Sequence, residues 1–104
     1  MIVNTVLVTG TLLGDPEFRL NNFGCPFLIL KLSSKLPYVD ALGNMKEKDN
    51  FFCAVAHDDL ATQCRDLAEG DEILIEGRLI SHEWQENGAT VSSMKIHAEI
   101  IQRR

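Results

Sequence analysis

Val6, Val8, Gly10 and Leu12 alternate with Leu7, Thr9, Thr11 and Leu13, and this period of two constrains the chain more than any other feature. Successive strand side chains point to opposite faces, so the run predicts a long β-strand. Asp15-Pro16 closes it, because proline cannot donate to a strand ladder. Asn21, Asn22 and Gly24 mark a turn, and Phe27 to Leu32 is a second apolar run of β type. Residues 33–48 carry Ser33, Ser34, Pro37, Asp40, Gly43 and Asn44. They read as a long polar loop of the functional or mobile kind.

Phe51 to Ala56 is a third strand. Leu60, Cys64 and Leu67 then fall at i, i+4 and i+7, the apolar stripe of a short helix. Asp58 or Asp59 is expected to cap that helix, and Gly70 to end it. Ile73 to Trp84 is a fourth strand. Asn87-Gly88 predicts a tight hairpin into a fifth, Thr90 to Ile101. Gly10 and Gly77, inside strands, are expected at bulges or bends. Three strands, one helix and two strands give an all-β reading: a five-stranded OB-fold Greek-key barrel with one short helix between strands 3 and 4.

At 104 residues the chain is expected to form one domain spanning 1–104, with a single core. Ten Lys and Arg against fifteen Asp and Glu give a net charge of −5, so composition alone does not suggest a nucleic-acid partner. No run approaches the length of a membrane span, and Met1-Ile2-Val3-Asn4 lacks the basic start of a signal peptide. A cytoplasmic, nucleoid-associated location is the expectation. Cys25, Cys53 and Cys64 fit no C-x-x-C metal pattern and are read as reduced, mostly buried thiols.

Catalytic patterns are absent from the sequence. Gly10-Thr11-Leu12-Leu13-Gly14 leads into no GK[ST], and neither GxSxG nor HExxH occurs. Asp58-Asp59 beside His57 resembles an acid–base cluster, but adjacent turn residues diverge and helix capping accounts for the aspartates. No enzyme activity, cofactor or metal is expected.

Three segments, taken together, carry a resemblance. They are Asn4 to Gly10 followed by Asp15-Pro16-Glu17-Phe18-Arg19, Gly43 to Phe51, and Gly70 to Trp84. In this order and spacing they resemble the bacterial single-stranded DNA-binding protein family, across Asn4 to about Ile101. The resemblance implies an OB barrel that binds single-stranded DNA with little sequence preference, in replication, recombination or repair. Aromatic rings stack on bases and Lys or Arg follow the phosphates. It also implies a homo-oligomer, tetramer favoured over dimer. The family's flexible segment and acidic, apolar tip have no counterpart in these residues, so recruitment through such a tip is not expected of them.

Carried over residue by residue, Phe51 and Trp84 stand where the family has base-stacking tryptophans. Tyr38 lies near a third, and His57 replaces a family phenylalanine. Arg19 matches a family arginine, and Lys35, Lys46, Lys48 and Arg78 complete the expected phosphate contacts. Phe18, Phe23 and Phe27 read as core or loop anchors, and His97 as a strand residue with no chemical role. Where the family often carries basic residues, this chain has Cys53, Asp59, Glu69, Ile80, His82 and Glu83. Weaker strand binding than in a typical member follows.

Two alternatives stand beside this reading. One is a replication-restart accessory similar to primosomal replication protein N, suggested by Met94 to Ile101 and acting through protein contacts as well as DNA. The other is an OB protein-interaction module with little DNA binding, suggested by the acidic charge. RNA remains a candidate partner beside DNA, because stacking and phosphate contacts serve both. Repair or restart proteins are further candidates.

Overall fold

A computed structural model describes residues 1–104. Its strands are β1 (Val6–Leu12), β2 (Glu17–Leu20), β3 (Pro26–Val39), β4 (Met45–His57), β5 (Glu72–Glu86) and β6 (Ala89–Arg103). One helix, α1 (Asp58–Cys64), joins β4 to β5. The sheet runs β1-β5-β6-β4-β3-β2, and β1 also pairs with β3, which closes five strands into a barrel and leaves β2 outside it. The closing contacts are short. β1 meets β3 only at Thr11↔Ser33 and Leu12↔Leu32, and β4 meets β6, in parallel, only at Ala54↔Ile96 and Val55↔His97.

Alternation fills the barrel. Leu28, Leu30 and Leu32 of β3, Ala54 and Ala56 of β4, Ile73 and Ile75 of β5, and Ile96 and Ala98 of β6 are buried inward. Leu12 joins them from β1, and Ala61, Cys64 and Leu67 come from α1 and the turn after it. Each fully buried Leu or Ile stabilises the fold by about 1.5–3 kcal/mol relative to exposure. Small residues recur where strands come close. A Cβ on Gly10 would lie 3.0 Å from the Phe52 ring and 3.1 Å from the Ser33 carbonyl oxygen.

Several expectations are corrected. Residues 33–48 are not a loop: β3 and β4 continue as a paired ribbon from Ser33↔Phe51 out to Val39↔Met45. The ribbon turns at Asp40, whose Oδ1 accepts from the Leu42 and Asn44 N–H groups at 2.9 Å, while Gly43 takes φ +82°. A two-stranded ribbon wetted on both faces needs no apolar alternation, so its sequence looks like loop. Glu17–Leu20 adds a short strand on β3, in the register Glu17↔Ile29 to Leu20↔Pro26. His57, not Asp58 or Asp59, is the N-cap of α1; no side chain caps it, and Asp58 has φ +56°. α1 ends at Cys64, so Gly70 (φ +90°) serves the following turn, where its N–H donates to the Leu12 carbonyl. Cys25 is exposed and Cys53 half-buried, leaving Cys64 as the one buried thiol.

Candidate nucleic-acid interface

Strand parity assigns the faces. Ala54 and Ala56 point inward, so Phe51, Cys53, Val55 and His57 of β4 belong to the outer face. Their partners Ser33, Lys31, Ile29 and Phe27 share it on β3. The Val55↔His97 pair continues the face onto β6, and Arg78↔His97, Ile80↔Lys95, His82↔Ser93 and Trp84↔Val91 continue it onto β5. One face of four neighbouring strands thus carries Phe51, His57, Trp84 and Arg78 together. β4 and β6 pair at only two positions, so the β3–β4 and β5–β6 ribbons part beyond them.

The rings on this face are accessible. Phe51 is 64% exposed and Trp84 38%. Trp84 is held on one side by His82, stacked at 5.5 Å, and its Nε1 donates to Glu86 Oε2 at 3.3 Å. His57 stacks on His97 at 5.1 Å, with Phe27 tilted against it at 6.4 Å.

Tyr38 is placed differently. It pairs with Lys46 and shares the parity of Leu36 and Lys48, the face of the ribbon opposite to Phe51. Lys48 Nζ lies 5.9 Å from the Tyr38 ring centroid, within reach of a cation–π contact. Tyr38, Lys46 and Lys48 therefore form a group of their own near the ribbon tip. Arg19 lies on β2, beyond the barrel.

Most of the nominated cations already hold carboxylates. Arg19 pairs with Glu17 at 2.9 Å, Lys35 with Asp49 at 2.6 Å, Lys46 with Asp40 at 3.3 Å and Arg78 with Glu99 at 3.1 Å. The Asp49 hydrogen bond, then its charge, raises the Lys35 pKa above its ordinary value. The hydrogen bond from the Asn44 amide holds the Asp40 carboxyl below the usual carboxylate range. Exposed pairs of this kind contribute little to stability, but each offsets a positive charge that a phosphate would otherwise meet.

Lys31 and Lys95, outside the expected phosphate contacts, stand on the outer face without a carboxylate partner. Lys31 lies across from Cys53, and Lys95 across from Ile80. Cys53 and Lys95 are the residues just before the paired Ala54 and Ile96, so the two lysines flank the middle of the face. Their parity with Phe51 and Trp84 is the signal that distinguishes them from other surface lysines, and it becomes readable only once the register is known. His97, read from the sequence as a strand residue with no chemical role, lies on the same face where β6 meets β4.

Comparison with known proteins gives a consistent result. The model of the single-strand binding protein family matches residues 3–104. The single-stranded DNA-binding protein of Deinococcus radiodurans is 32% identical over 101 residues, which is 96% of this chain and 34% of that protein. That of Aquifex aeolicus is 30% identical over 104 residues, 96% of this chain and 69% of that protein. The chain thus spans about a third of the first relative's length and about two thirds of the second's. Among solved structures, a deletion mutant of the single-stranded DNA-binding protein from Thermus aquaticus superposes with a TM-score of 0.89 at 28% identity. That match covers 98% of this chain and 50% of the other.

Proposed function

This chain belongs to the single-strand binding protein family, and on that premise we propose that it binds single-stranded DNA with little sequence preference, without catalysis, in replication, recombination or repair. The observation that carries the reading is the outer face of β3, β4, β6 and β5, which unites exposed aromatic rings with cations. Bases stack on Phe51, Trp84 and His57, and phosphates meet Lys31, Lys95 and Arg78. Tyr38, Lys46 and Lys48 extend the path along the other face of the ribbon, and Lys35 and Arg19 contribute where phosphate displaces Asp49 and Glu17. Binding is weaker and less salt-dependent than in a more basic relative, because carboxylates hold four of the nominated cations.

The protein acts as a homo-oligomer, with a tetramer favoured over a dimer. The uncovered edge of β1 beyond its short pairing with β3, and exposed Ile2, Val3 and Leu7 beside it, support self-association. A strand held by one subunit then meets the next at high effective concentration.

The test is fluorescence anisotropy of labelled oligo(dT) at low and physiological salt, with duplex DNA as the control. Saturable binding of oligo(dT) in preference to duplex supports the reading. No binding at low salt defeats it and favours the protein-interaction alternative.

A further inference from the structure

All three histidines of the chain lie on the outer face, in two stacks. His82 backs Trp84. The other stack, His57 on His97, lies at the α1 end of the face, where β4 and β6 pair. His57 is exposed, and His97 is half-buried beneath the same surface. Phe27 extends the stack onto β3. Three rings from three neighbouring strands, inclined by 34° and 22° to one another, thus make an aromatic cluster separate from Phe51 and Trp84.

The charges around this cluster come from every element beside it. Arg78 of β5 stands across from His97. Lys95 and Glu99 lie two residues to either side of His97 on β6, and Glu99 is ion-paired with Arg78. Lys31 rises from β3, and Asp58 and Asp59 follow His57 at the start of α1. An anionic strand laid over the cluster adds phosphates to this set and so favours the protonated imidazoles. Binding that takes up protons must strengthen as pH falls, by the reciprocity of linkage.

Resting on the strand-binding reading above, we propose that His57, His97 and Phe27 form a second base-stacking platform, whose hold on single-stranded DNA tightens as the imidazoles gain protons. His97 is the key member, because it carries the stack and faces Arg78.

The experiment measures oligo(dT) affinity by anisotropy at about pH 8 and about pH 6, at constant ionic strength. The proteins are the wild type, His97→Ala, His97→Phe and Phe51→Ala, each checked for folding by circular dichroism. In the wild type, affinity is expected to rise several-fold from the higher to the lower pH. His97→Ala loses about fivefold or more at both. His97→Phe recovers most of the affinity that His97→Ala loses at the higher pH, but little of the tightening at the lower. That separates a stacking, titrating residue from a merely structural one.

If His97→Ala binds like the wild type at both pH values while Phe51→Ala weakens binding, the platform is overturned and strand binding stands. A wild-type pH response that His97→Phe retains in full assigns the titration elsewhere and overturns the pH claim. No binding by the wild type at either pH overturns both readings.

Discussion

Gly77 packs against the backbone carbonyl of His97 so closely that a Cβ on residue 77 would overlap that oxygen. The contact sits where pairing passes from Glu76↔Ile100 to Gly77↔Ala98, with Glu99 as the extra residue. Such a bulge re-aims the strand that carries it. Here it lets Ile96, Ala98 and Ile101 all pack on the core while His97 stays on the outer face.

Gly77→Ala is therefore expected to destabilise the protein by about 3 kcal/mol or more, since backbone rather than a flexible side chain must move. Denaturant unfolding checks this. A midpoint within error of the wild type would mean that the strands separate there at little cost.

Phe51→Ala is expected to weaken oligo(dT) binding by about 1–3 kcal/mol, and Phe51→Trp to strengthen it through a larger ring. Tyr38→Ala, on the opposite face of the ribbon, costs less. Anisotropy on the three variants ranks them. Equal losses for Phe51→Ala and Tyr38→Ala would show that a strand uses both faces equally.

Asp49→Asn keeps the shape of its side chain and releases Lys35 from its 2.6 Å ion pair. Tighter binding follows, with the slope of log affinity against log salt steeper by about 0.7, the increment for one added contact to a single strand. An unchanged slope would place Lys35 away from the bound phosphates.

Asp40 has its pKa lowered, first by the Asn44 amide hydrogen bond. A carboxyl depressed in the folded state favours folding above its unfolded pKa. That contribution is lost as pH falls through the lower folded value. Acid should thus loosen the ribbon turn before the barrel. Hydrogen exchange at the Leu42 and Asn44 amides is expected to quicken there, and Asp40→Ala to quicken it at neutral pH. Amides as protected in Asp40→Ala as in the wild type would remove the carboxylate from the turn.

Much of the barrel was legible in the chain because its signals are local. Alternation over Val6–Leu12, the Asn87-Gly88 hairpin and the Leu60, Cys64 and Leu67 stripe each depend on neighbours a few residues apart. The rings at Phe51, Trp84 and His57 are candidates through family resemblance, and local alternation adds only that Phe51 and Phe52 point to opposite faces.

What local pattern does not carry is register. Ser33 to Lys48 reads as loop because the ribbon it forms is wetted on both faces, and only pairing in space makes it β3 and β4. The same pairing separates Tyr38 from Phe51, and it gathers Lys31, Lys95 and His97 from distant strands onto one face. The pairing also brings Asp49 to Lys35 and Glu99 to Arg78, so the charge left for a phosphate depends on cross-strand neighbours as much as on the count of lysines and arginines. A side chain's face depends on the parity of its strand, and its neighbours on the strand beside it. Closure of the barrel sets both, because it buries one parity of each strand and leaves the other to solvent.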